Sequence, residues 1–168
     1  MKIGGYSLGE HIRLLIPLFA FIAVVWLLRM LVDGFHLPNL LVRILSVTGA
    51  QSVAILFAVV LIHMRRFGGY PNVIVVSFLL ATWAQMIIIL AIVFAELTGI
   101  DNIFTAPEFS IPHDDPFHLR HIVGHLTFGI GGGTLIGTAL GCLLLWVLRK
   151  VVPVPQPTNI KPQQPTGI

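Results

Sequence analysis

Residues 113–141 read HDDPFHLRHIVGHLTFGIGGGTLIGTALG, and two unlike halves meet in that stretch. The first half holds His113, Asp114, Asp115, His118, His121 and His125, side chains of the kinds that bind metals. The second places Gly129, Gly133, Gly137 and Gly141 at every fourth position of an uncharged apolar run. That run exceeds the roughly 18 residues a bilayer-crossing helix requires. It makes the fold a membrane fold.

The whole chain has the same character. Of its 168 residues 56% are hydrophobic and 10% charged, with a mean hydropathy of +0.93. Soluble domains carry about 25% charged residues. The sequence predicts an all-α polytopic membrane protein: four transmembrane helices in a bundle, over about 10–32, 40–64, 72–97 and 119–149. One transmembrane domain, 1–150, is followed by 151–168, a proline-rich tail read as extended or disordered. The lone Cys142 excludes an intramolecular disulfide, and no CxxCH offers covalent haem attachment.

Ser7-Leu8-Gly9-Glu10 has the S-x-x-E form of a capping box, which starts the first helix near Leu8. The apolar run Leu14–Leu28 leads into Arg29-Met30-Leu31-Val32-Asp33, where no small-x-small cleavage site occurs, so the span is expected to be retained. Pro17 lies where it could kink this helix. The second segment runs from Leu40 to Ile62 and the third from Val73 to Ala95, with Gly99 as its stop. Asp115-Pro116 reads as an N-cap followed by proline at the first helical position.

Four spans bring both termini to one side. That side carries Lys2, Arg13, Arg65, Arg66, Arg149, Lys150 and Lys161; the other carries Arg29, Arg43 and Arg120. By the positive-inside rule both termini are cytoplasmic, in a membrane of the bacterial inner-membrane type, and the loop between spans three and four faces outward.

His118, His121 and His125 are three and four residues apart and would form one helical stripe. With Asp114 and Glu96 on the same face they are a tentative site for copper, zinc or iron, b-type haem included. The bland alternative is a set of interfacial histidines, with Asp115 serving only as a cap. No histidine is expected at mid-span. Ile122 stands where a zinc-protease H-E-x-x-H would have its glutamate.

The glycine ladder reads as helix packing, against another chain, a second copy or an internal partner near Gly49, Ala50 and Ser52. Gly131-Gly132-Gly133 is a place for a kink, or for a close-lying cofactor such as a chlorophyll or quinone. Gln51 and Gln85, near the middles of spans two and three, read as interhelical hydrogen-bond groups.

No sequence motif identifies an enzyme or a nucleic-acid partner. These features favour a non-catalytic or accessory subunit of a larger membrane complex, joined through the fourth helix. The alternatives are a metal- or haem-binding redox protein with an outward His/Asp site, and a small divalent-cation transporter or channel.

Overall fold

The computed structural model describes residues 2–34, 45–105 and 118–152. His36, His113, Asp114, the Asp115-Pro116 cap and the proline-rich tail from 153 lie outside them. Apart from connecting turns and an N-terminal hairpin, β1 (Lys2–Ile3) and β2 (Tyr6–Ser7), the described chain is helical. Gly4 and Gly5 turn it, with φ of +59° and +92°. An adjacent Gly-Gly pair is the composition such a two-residue turn demands.

Helix α1 (Leu8–Gly34) begins with a reciprocal capping box. Ser7 N and Oγ both donate to Glu10 Oε2 at 2.7 Å, and Glu10 N donates back to Ser7 Oγ at 3.4 Å. The helix continues through Pro17 without interruption. Helix α2 (Val47–Met64) starts later than Leu40, because Ser46 caps it by accepting the Gly49 N–H. Helix α3 (Tyr70–Thr98) ends at Gly99, whose φ of +69° lets its N–H close on Ala95 O. The fourth span, Leu119–Val151, has three parts: α4 (Leu119–Gly124), a π-helical turn His125–Gly129, and α5 (Ile130–Val151).

All four helices are long and apolar enough to cross a membrane. Lipid supplies no hydrophobic drive between helices, so close packing and hydrogen bonds must hold them. The sequence provides small residues for this. Along α2 the buried positions include Ala50, Ala54 and Ala58; along α3 they include Ser77, Ala81, Ala84, Ala91 and Ala95. Helix α1 adds a narrow seam of His11, Leu15 and Ile22, and Trp83 Nε1 of α3 donates to Phe19 O of α1 at 3.1 Å.

The glycine ladder fixes the fourth span. A Cβ on Gly141 would meet Val73 and Val59; on Gly137, Ile55 and Ser77; on Gly133, Gln51 and Ala81; on Gly129, Gln85. Steps of four along the ladder match steps of four along both neighbours. The fourth span therefore runs parallel to α2 and antiparallel to α3. Its α2 partners are Gln51, Ile55 and Val59, and not the Gly49, Ala50 and Ser52 that the sequence offers.

At the basic end the chain's extremities join. Tyr6 Oη donates to Arg66 O at 3.1 Å, His63 Nε2 lies 2.8 Å from Val152 O, and the Arg149 guanidinium sits 4.9 Å above the Tyr70 ring. At the opposite end Asn102 Nδ2 donates to Ala91 O at 2.8 Å, tying the start of the loop to α3.

Candidate functional site

Of the stripe expected of the histidines, His121 and His125 remain together and His118 departs. His118 precedes the helix in left-handed backbone, φ 48°, and is not in its first turn. Histidine tolerates that region better than most residues, and here its Nδ1 is held by the Glu96 carboxylate. Beyond it, the π turn inserts extra backbone: the Ile130 N–H bonds to His125 O, five residues back. Such single turns accompany functional sites in many helices. The irregularity lies at 125–129 and not at the triple glycine 131–133.

His125 lies against Gln85, near the midpoint of α3. Its Nδ1–H donates to Gln85 Oε1 at 2.6 Å, and Gln85 Nε2 donates to Gln51 Oε1 at 3.3 Å. With Nδ1 protonated, the neutral His125 ring presents a lone pair at Nε2. His121 Nε2, 3.0 Å away, supplies the proton for that lone pair. The result is one polar line through three helices, His121–His125–Gln85–Gln51. Burial makes it consequential, since Gln51 is 2% and Gln85 3% exposed. The His118–Glu96 pair stands at its outer end, with the His118 and His121 ring centroids 6.4 Å apart.

Sequence reasoning singled out His118, His121, His125, Glu96 and Asp114 as one group. The structure joins His121 to His125 and His118 to Glu96, while Asp114 lies outside the described residues. No cluster of three or more His, Cys, Asp or Glu side chains suited to a metal is found among the described residues. The amides are what residue-type reasoning separated from the histidines. A signal was present: His121, His125, Gly129, Gly133, Gly137 and Gly141 form one uninterrupted i, i+4 series. The polar and the small residues belong to the same packed face.

Beside this line lies a cavity of about 550 Å³ in the cleft between α2 and the fourth span. Gln51, Gln85, His121 and His125 form its polar wall, Thr48 and Ser52 lie along α2, and Ile55, Leu56, Phe128, Ile136 and Leu140 supply apolar surface. Its volume falls within the roughly 300–1,000 Å³ of small-molecule sites.

Two cavity glycines differ from the ladder. Gly124 and Gly132 both line the space, yet a Cβ on either would meet nothing within 4 Å. Each costs a helix up to about 1 kcal/mol relative to alanine. Packing among the described residues does not require them. Gln51 Nε2 has no hydrogen-bond partner among the described residues, although its side chain is almost wholly buried. An amide lining the cavity and two bare glycine positions on the facing helix leave this space unfilled by the chain's own side chains. No known protein family, curated protein or solved structure matches the chain.

Proposed function

We propose that this is an integral membrane protein that binds a lipid-soluble small molecule between α2 and the fourth span. The observation that carries the reading is the cavity's construction. Gln51 of α2 faces a fourth-span wall that carries His121, His125 and the bare positions Gly124 and Gly132. An ionisable side chain at membrane depth is a functional-site signal by default, and His125 bonded to Gln85 is such a group.

The test is native mass spectrometry of protein taken gently from its own membranes, beside Gly132→Leu. The leucine projects into open space, so the variant is expected to fold and to lose the co-purifying molecule. Equal occupancy in both proteins removes the reading.

The four spans are read as a bundle with both termini cytoplasmic and the 3–4 loop outward, in a bacterial inner membrane. The basic end at Tyr6, Arg66 and Arg149 supports that orientation. A reporter joined after the C-terminus is expected to be active only in its cytoplasmic form; activity of a periplasm-dependent reporter inverts the assignment. The glycine ladder packs on α2 and α3 of the same chain, so it is no argument for a second subunit. An accessory role would have to use the outer faces of α1 and the fourth span.

One observation favours a metal as the second reading. The Nε2 atoms of His121 and His125 converge to 3.0 Å, and His125 Nδ1–H is anchored on an amide oxygen. That is the outer-shell arrangement of metal-bound imidazole. Zinc, copper or iron would then sit at these two Nε2 atoms and take further ligands from outside the described residues. Elemental analysis is expected to give about one such ion per chain, lost in His121→Ala with the fold retained. A metal-free wild type excludes it.

A further inference from the structure

We infer that the molecule taken by this cavity is a quinone or quinol, its ring lying on the glycine face and one ring oxygen accepting from Gln51 Nε2. This rests on the proposed ligand-binding role and names its substrate class. Three features of the cavity lead to it.

The recognising group is a neutral amide donor. Gln51 gives its oxygen to Gln85 and keeps an NH₂ group with no partner among the described residues. A neutral donor buried among apolar side chains is satisfied by a neutral acceptor such as a carbonyl. The facing wall is bare: at Gly124 and Gly132 the helix backbone is uncovered, and beyond the adjoining residues of the helix itself no atom lies within 4 Å of either missing Cβ. Backbone without side chains offers a ring a close, flat approach.

His121 and His125 stand on the same polar wall. Quinone and quinol differ by two protons and two electrons, and the oxygen accepts in one form and donates in the other. Both His125 nitrogens are already engaged, with Gln85 and with His121, so the oxygen of either form is met by the Gln51 donor, from which a carbonyl and a hydroxyl can both accept. Finally, Ile55, Leu56, Ile136 and Leu140 continue the cavity as apolar surface beyond the polar groups, which suits a hydrocarbon tail. Arg120 also lines the cavity, so a phospholipid phosphate is the competing occupant, and the extract assay separates the two. The inference concerns binding alone.

The probes are two short-chain quinones, a decyl-substituted benzoquinone and a decyl-substituted naphthoquinone. They are titrated into full-length protein in mild detergent and followed by the rise in unfolding temperature. A solvent extract of protein taken from native membranes is assayed for quinones in parallel. Wild type is expected to show a saturable rise with at least one probe, and quinone in the extract. Gly132→Leu is expected to show neither. Gln51→Leu is expected to weaken binding by about ten-fold, as loss of one buried hydrogen bond implies. If Gln51→Leu does not fold, Gly132→Leu still decides, because it leaves the polar line intact. Recovery of a different lipid, displaced by Gly132→Leu while both quinones fail, overturns the quinone and leaves the ligand-binding role standing. No extractable molecule and no response to either probe overturns both. Saturable binding that Gln51→Leu leaves unchanged overturns the assigned contact.

Discussion

Gly141→Leu is expected to prevent recovery of folded protein, while Gly132→Leu, nine residues earlier on the same span, is expected to leave stability nearly unchanged. A Cβ at 141 would lie 2.8 Å from Val73 Cγ1 and 3.0 Å from Val59 Cγ2. These are side chains of two different helices, α3 and α2, so the new atom is wedged from both sides. Both are valines, with one strongly preferred rotamer each in a helix, and neither can swing away. The helices themselves must separate, and the ladder transmits that separation along its length. Overpacking a tight core by a few carbons costs about 1–3 kcal/mol, and more where nothing relaxes. A leucine here is expected to exceed about 3 kcal/mol.

The intermediate ladder positions should grade with the softness of what they meet. A Cβ at Gly137 comes 2.5 Å from Ile55 Cδ1, the free end of a side chain that can rotate. At Gly133 the neighbour is Gln51 Nε2, also 2.5 Å away and also a movable end. Alanine is tolerable at both, with a cost on the order of 1 kcal/mol. At Gly131 and Gly132, where a Cβ meets nothing within 4 Å, alanine is expected to stabilise by up to about 1 kcal/mol. Unfolding of the series in mixed detergent micelles checks the order. Equal effects at 132 and 141 would show that the span does not dock as described.

Much of this was legible in the chain because lipid is a strict solvent. Four long apolar segments admit no other secondary structure, since every backbone group must be bonded within its own segment. The capping box at Ser7 and Glu10 and the stop at Gly99 are local signals, set by residues that touch one another. The candidate site was less legible because it depends on register. Periodicity of 3.6 places His118 on a stripe with His121 and His125, but His118 leaves the helix to meet Glu96, twenty-two positions earlier in the sequence. The π turn then shifts the phase by one residue at the point where His125 must reach Gln85. No property of His125 alone announces that shift. The two bare glycines were invisible for a different reason. In sequence Gly132 stands beside Gly133, and only the neighbouring helix distinguishes a glycine that admits Gln51 from one that leaves space.

Gln85→Leu is expected to destabilise the protein by about 2–4 kcal/mol, more than any other polar-to-apolar change in the four spans. Gln85 serves two partners at once, accepting from His125 Nδ1 and donating to Gln51 Oε1. Leucine of nearly the same volume opens little cavity, so lost packing contributes little. The loss lies in two stranded groups, an imidazole N–H and an amide oxygen, held between packed helices. Each unsatisfied buried polar group costs about 1–3 kcal/mol. Single hydrogen bonds between membrane helices are worth less, about 0.6 kcal/mol on average, because an unfolded helix in lipid also finds partners. The expected figure lies between these limits for a residue carrying two bonds. The discriminating comparison is a cycle with Gln51→Leu. If the amides are bonded, removing the second leaves no acceptor stranded at position 51, and the double variant should be more stable than the two single losses predict. A shortfall from additivity of about 1 kcal/mol is the expected coupling, read from unfolding of the four proteins in the same micelles. His125→Phe should couple to Gln85→Leu in the same sense, because phenylalanine removes the N–H that Gln85→Leu leaves unpaired. Strict additivity in both cycles would mean that Gln51, Gln85 and His125 do not form one line.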